Sequence, residues 1–426
     1  MATFLLTAAP KMDTYLLITI LSGVVILSYA FNIVTVKTKV PSVLMLIGFG
    51  IIVNLFAEKL GFPDVSHYLE FLGSIGLIMI VLEGALDLHL TPEKVPIVIK
   101  SLIVALVSLI LTTAAITGIF MFFYQNMHWV SAILYAMPFA ILSSAIVIPS
   151  ISHLKKHDKE FLVYDSTFSD ILGIMFFYAI KDNADVGSVM MFSGKLLFNF
   201  LITTVISVIL SYITIYLIQY IKTGARLILL LSIITLMYAF MKLEHLSALL
   251  IILIFGLMVS NPELLIFKKL REHISVSFIK KLFRDLNMLT IEASFLIRTF
   301  FFIIFGMSIS LASFVDTSVW LISAIVLLVV YIIRFGTMKA VKVEKLNPAV
   351  YVAPRGLITV LLFYSIPEKY LISDFHTGIL FMIILATVII MGSGLHAHYK
   401  SVSKKEPKDP ANEKYEHHPK EEELAP

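Results

Sequence analysis

Five carboxylate and hydroxyl side chains crowd into six consecutive positions of this sequence: Asp165, Ser166, Thr167, Ser169 and Asp170, inside the apolar stretch EFLVYDSTFSDILGIMFFYAI that starts at Glu160. Such oxygens are hard ligands, suited to alkali cations and protons. At about 100° per residue on a helix, Ser166 and Asp170 share a face and Ser169 lies beside Asp170. Asp165 points about 140° away, so one helix presents two separate acidic positions. An aspartate in apolar surroundings avoids an unpaired charge by taking up a proton or by coordinating a cation. The two options exclude each other, and that exclusion is the simplest physical basis for exchanging one ion against the other. Asp170 is assigned this role, with a transported monovalent cation as its metal; the competing use is pairing with an arginine or capping a helix.

Two further segments carry helix breakers inside apolar runs. In FAILSSAIVIPSISHL, Ser143 and Ser144 precede Pro149, and in NPAVYVAPRGLITVLL, Pro354, Arg355 and Gly356 interrupt the run. Proline removes a backbone donor and glycine permits unusual dihedrals, so both segments are expected to unwind locally. Broken helices in corresponding positions of two inverted repeats are how transporters aim carbonyls and half-helix dipoles at an ion. Ser143 and Ser144 join Asp170, Asp165, Ser166 and Ser169 as expected ion and proton ligands.

The elements that must hold these residues are transmembrane helices. Apolar residues make up 59% of the chain and charged residues only 15%, with a mean hydropathy of +0.94, far from a water-soluble domain. Cysteine is absent, which excludes disulfides and thiolate chemistry. At about 20 residues per crossing, roughly thirteen apolar segments are found. They begin near Asp13, Pro41, Tyr68, Val95, Trp129, Glu160, Ser188, Ala225, Leu246, Met288, Ser318, Leu346 and Ser373. The expected fold is an all-α polytopic membrane protein: two six-helix inverted repeats around a seventh span, with discontinuous fifth and twelfth helices. Residues 1–398 are expected to form the membrane domain and 399–426 a polar, disordered cytoplasmic tail; His398 at the junction and His417 and His418 within the tail read as solvated. The first span lacks a basic n-region and reads as a retained helix.

Lys and Arg alternate along the loops, from Lys37 and Lys39 to Lys94, to Lys155, Lys156 and Lys159, and onward to Lys339, Lys342 and Lys345. By the positive-inside rule this puts the N-terminus outside and the C-terminus in the cytoplasm of a bacterial-type plasma membrane. The net charge of +4 follows from that topology and calls for no nucleic acid. Residues 262–287 read as an amphipathic surface helix or a plain basic loop. His153 and His157 read as inner-loop residues.

The motifs resemble the monovalent cation:proton antiporter superfamily, with its NhaP, NapA and Kef branches, over nearly the whole membrane domain. The NhaP-like pattern of an acidic residue, three positions, then Asn-Asp is met by Asp165 and Ser169-Asp170; an Arg-Gly in the twelfth span is met by Arg355-Gly356, and a third-span glutamate by Glu83 in IVLEGALDL. ILSSAIVI and FFFIIFGMSIS look more like the Kef and NapA side. The resemblance implies that Arg355 ties Asp165, Glu83 or both across the broken helices, and that Arg298 steadies Glu292 or an aspartate near the ion. It also implies a homodimer with the first helix at the interface, spans three to six and their partners as a moving core, and alternating access. The transported pair is expected to be Na+ and H+ (K+ or Li+ in place of Na+ being open), and exchange is expected to be electroneutral if Arg355 locks Asp165 and leaves only Asp170 to titrate; release of Asp165 would couple more protons.

The sequence departs from the family where sodium-selective members carry Thr-Asp-Pro in the fifth span; Ala145-Ile146-Val147 stands there, which leaves sodium against potassium open. A Kef-like K+/H+ antiporter without the nucleotide-binding domain is therefore the alternative, with an ion channel as the more distant rival. HExxH and GxSxG arrays are absent, so no enzyme and no cofactor is expected.

Overall fold

The computed structural model describes residues 14–38, 41–60, 66–151, 154, 156–183, 189–221, 225–244, 246, 248–265, 274–309 and 315–405. His153, Lys155 and the tail from 406, with His417 and His418, lie outside them. With lipid as the solvent every backbone donor must be satisfied within its own segment, which leaves helices as the open choice for these apolar runs. Among the described residues there is no strand.

The helices are α1 (Thr14–Thr38), α2 (Ser42–Leu60), α3 (Ser66–Asp87), α4 (Val95–Phe123), α5 (Trp129–Ala140), α6 (Ser144–Ser150), α7 (Lys156–Asn183) and α8 (Val189–Ile218). They continue with α9 (Arg226–Leu243), α10 (Ala248–Ser260), α11 (Pro262–Leu265), α12 (Val276–Met307), α13 (Thr317–Ala340), α14 (Leu346–Ala349), α15 (Leu357–Tyr364) and α16 (Gly378–Lys405). Among the described residues nine helical segments are long and apolar enough to cross a bilayer, counting α5 and α6 as one, and α2 and α10 are shorter apolar helices. The outer surfaces of α1, α8, α9 and α13 display large apolar side chains such as Tyr15, Ile26, Phe198, Leu236 and Leu328, as lipid contact requires.

Packing divides the helices into two bundles. α2, α3, α8, α9, α10 and α12 pack on one another, with α1 beside α2; α4, α5, α7, α13 and α16 form the second group, which encloses α6, α14 and α15. In the first bundle α2 and α12 meet backbone to backbone: a side chain at Gly50 would run into the Ile303 carbonyl, and one at Gly306 into that of Ile47. The resemblance placed the third span in the core with spans four to six. Instead α3 packs chiefly on α12 and α10, because its small residues face them: Ala85 is the contact of Gly256.

Both expected breaks exist, one of them displaced. The fifth span unwinds at Ile141–Ser143, upstream of Pro149, which sits inside the short helix α6. Pro138 lies inside α5 just before the break, and its missing donor loosens the turn it belongs to. The twelfth span is helical only in α14 and α15, with an extended stretch through Pro354, Arg355 and Gly356 between them. The basic segment before the tenth span resolves into helix from Val276 onward, continuous with the crossing itself as α12.

Candidate functional site

A helix broken in mid-membrane leaves orphan donors at the start of one half and orphan carbonyls at the end of the other. Here α7 supplies partners for the donors. Asp170 accepts the Ser144 N–H, the first of α6, on Oδ2 at 2.8 Å, and the Ser169 hydroxyl accepts the Leu142 N–H at 2.9 Å. The two breaks also touch directly, since the Ser143 N–H donates to the Pro354 carbonyl at 2.9 Å. Gly356 makes this crossing possible: a Cβ there would lie 2.6 Å from Ile146 Cδ1 and 2.8 Å from Ser143 Oγ.

Two arginines satisfy the carbonyls. Arg355 donates from Nε to Phe139 O at 2.7 Å, in the last turn of α5, and from Nη1 to Ala353 O at 2.6 Å. Arg334 of α13 donates from Nε and Nη2 to Ala349 O, the last residue of α14, at 3.2 and 3.0 Å. A guanidinium at a helix C-terminus also opposes the negative end of the dipole. The carbonyl ends of α5 and α14 are therefore each closed by a buried arginine.

The expected tie between Arg355 and Asp165 or Glu83 is not the one the structure makes. Asp165 pairs with Arg334 at 3.0 Å, and Glu83 with Arg298, whose Nη1 lies 3.1 and 3.3 Å from the two carboxylate oxygens. The reason is local: the break at Ile141 leaves Phe139 O needing a donor, and Arg355 stands beside it. Arg334 escaped the sequence reading altogether. The signal was present, an arginine set among apolar residues in LLVVYIIRFG, where a charge is expensive and needs a partner. Glu292 is on the exposed surface of α12, away from the Arg298 pair.

Four of the expected ligands, Asp170, Ser169, Ser143 and Ser144, converge at the crossing and are buried, while Asp165 is committed to its arginine. Ser166 turns its hydroxyl back along α7 to the carbonyls of Leu162 and Val163. Four oxygens among these residues and Thr167 have no hydrogen-bond partner: Asp165 Oδ1, Asp170 Oδ1, Ser143 Oγ and Thr167 Oγ1. A cavity of about 340 Å³ between the bundles reaches the site; Glu83, Gly84, Asp87 and Arg298 line it from one side and Ser144 and Ala145 from the other. A carboxylate with one oxygen fixed by a backbone donor and the other free is equipped to take either a proton or one hard cation. Among the described residues no group of three or more His, Asp or Glu is disposed to hold a resident metal ion.

The model of the transmembrane sodium/hydrogen exchanger family matches residues 21–400. The fold is similar to that of the sodium proton antiporter MjNhaP1 from Methanocaldococcus jannaschii: at pH 8 the TM-score is 0.66 with 21% identity over 90% of this chain and 100% of that one. An electron-microscopy structure of the same antiporter gives a TM-score of 0.64 with 20% identity over 93% of this chain and 100% of the other. No curated protein matches the sequence. With a family match running from the first helix to the last, this chain belongs to the sodium/hydrogen exchanger family, which are transporters and not enzymes.

Proposed function

We propose that the chain exchanges one Na+ for one H+ by alternating access, with Asp170 as the single site that both ions occupy in turn. The observation that carries this reading is the state of Asp170: buried, without an arginine of its own, one oxygen held by the Ser144 N–H and the other unpartnered. A carboxylate so placed must be neutralised before it crosses the membrane, and H+ and Na+ each do so. Ser143, whose hydroxyl is likewise unpartnered, serves as a second cation ligand.

Charge balance favours one-for-one exchange. Asp165 and Arg334 cancel within the second bundle, which leaves Asp170 as the carboxylate for the ions to neutralise. Adding either a proton or Na+ to Asp170 then leaves the same net charge on the bundle, so both loaded forms cross with equal ease. The second bundle is the moving body and the first, with α3 and the Glu83–Arg298 pair, the scaffold.

The N-terminus lies outside and the C-terminus in the cytoplasm of a plasma membrane, a reading supported by the basic loops and by thirteen crossings when α5 is counted with α6 and α14 with α15. On that topology the cavity beside Ser144 and Asp87 opens to the cytoplasm, an inward-facing state. The scaffold bundle, α1 foremost, joins two copies as a homodimer in the bilayer.

Proton flux in proteoliposomes under an imposed pH gradient, with Na+, Li+ or K+ added in turn, tests the reading. Expected is Na+-triggered dissipation that is insensitive to membrane voltage. Response to K+ alone would replace the cargo, and conductance without coupled proton movement would replace antiport by a channel.

A further inference from the structure

Thr167 is completely buried on α7 and its hydroxyl makes no hydrogen bond. The hydroxyls of Thr117, Thr204 and Thr214 donate to the carbonyl four residues back, whereas Thr113, on α4 and away from Asp170, shares the open state of Thr167. The corresponding carbonyl, Val163 O, is approached instead by the hydroxyl of Ser166 at 3.2 Å. A buried hydroxyl left open costs free energy unless something fills it.

Its position says what that is. Thr167 precedes Asp170 by one turn, a spacing that puts the two side chains about 5–6 Å apart at Cβ. Its methyl group rests against Gly84 of α3, where a Cβ would lie 3.4 Å from Thr167 Cγ2. Gly84 and Ser144 line the same cavity, and Ser144 is the residue Asp170 holds. Thr167 and Asp170 thus each stand directly behind a residue that lines the cavity, the first behind Gly84 of the scaffold and the second behind Ser144 of α6. A desolvated alkali cation needs several oxygen ligands, and the free Asp170 oxygen with the Ser143 hydroxyl leaves positions to fill.

We infer that the Thr167 hydroxyl is a further ligand of the transported alkali cation, presented from the seam between the bundles, and that it sets which cation Asp170 accepts. This rests on Asp170 being the ion site. It assigns Thr167 a role in cation affinity that the proton, needing no such shell, does not share. It also compensates within this chain for the acidic fifth-span ligand that Ala145-Ile146-Val147 does not provide.

The test compares Thr167→Val, which keeps shape and burial but removes the hydroxyl, with Thr167→Ser, which keeps it, in proteoliposomes given Na+, Li+ and K+ separately. Asp170→Asn runs alongside. Expected for Thr167→Val is a rise of about three- to ten-fold in the KM for Na+, the worth of one lost polar contact, with an altered Na+ to K+ preference and a near-normal maximal rate. Thr167→Ser should stay within about two-fold of wild type, a change too small to count as a lost contact. Unchanged KM values and preference in Thr167→Val, with Asp170→Asn inactive, would overturn the role of Thr167 and leave the Asp170 site standing. A uniform fall in maximal rate with unchanged KM values would mark a packing role and overturn it equally, whereas an active Asp170→Asn would remove the site and this ligand with it. Should Thr167→Val fail to reach the membrane, Thr167→Ala reads the same KM and preference.

Discussion

Arg334 and Asp165 form the most deeply buried ion pair among the described residues, 3.0 Å apart with side chains 3% and 0% exposed. The same guanidinium closes the carbonyl end of α14 through Ala349. One arginine thus fixes α7, α13 and the first half of the broken twelfth span relative to one another.

Removing one partner of such a pair strands the other charge in an apolar interior. Arg334→Ala and Asp165→Ala are each expected to cost roughly 3–5 kcal/mol, while Arg334→Met with Asp165→Leu should cost distinctly less than the sum of the two. Thermal unfolding of the detergent-solubilised protein measures all three. Additive losses would mean that the pair does not act as a unit.

Asp170→Asn preserves size and can still accept the Ser144 N–H through its carbonyl oxygen, but it carries no charge to neutralise. Exchange should vanish with every cation while purification yield and melting behaviour stay near wild type. Normal exchange by this variant removes Asp170 from the mechanism.

Gly356→Ala places a methyl group within 2.6 Å of Ile146 Cδ1 and 2.8 Å of Ser143 Oγ. Since a crowded core yields only by displacing its neighbours, the variant should lose about 1–3 kcal/mol of stability and most of its transport rate. The Ser143 N–H bond to Pro354 is the contact at stake. Hydrogen exchange at Ser143, faster in the variant, would locate the damage there.

Glu83 and Arg298 are only partly buried, 15% and 20% exposed, and they face the cavity. Glu83→Gln removes the carboxylate paired with Arg298 and makes the path to Asp170 more positive by one charge, so the KM for Na+ should rise, more at low ionic strength than at high. Restoring neutrality with Glu83→Gln plus Arg298→Gln should recover much of the loss. If the KM of the single variant is unchanged at low salt, the pair has no part in guiding the cation.

Asp316 caps α13, accepting the Ser318 N–H at 2.8 Å, and lies 3.3 Å from His376 Nδ1. The bonds from Ser318, and then the His376 charge, hold its carboxyl below the ordinary range. A depressed folded-state pKa gives stability that is present above the unfolded value, about 3.9, and lost as pH falls through the lower folded value. Asp316→Ala should therefore melt lower than wild type at pH 7, and the difference should close on acidification below about pH 4. A difference that persists unchanged at low pH would assign the effect to something other than the carboxylate.

Much of this molecule was written in its sequence. Apolar runs of bilayer length dictate helices, because lipid offers the backbone no partner; the Ser-Asp pair at 169–170 and the breaker residues near 143 and 355 mark where a charge and an unwound backbone must meet. What the sequence left undecided is partnership. Helical periodicity gives the direction of a side chain around its own axis, but not which neighbouring helix stands in that direction. That is why Arg355 was matched to carboxylates when its donors go to Phe139 and Ala353, and why Arg334 was overlooked. The break in the fifth span shows the same limit, since it falls at Ile141–Ser143 and not at Pro149. It falls there because Asp170 and Ser169, supplied by another helix, pay the hydrogen bonds of the unwound donors. A buried charge announces itself locally through its cost, whereas the group that meets that cost is chosen only when the helices pack.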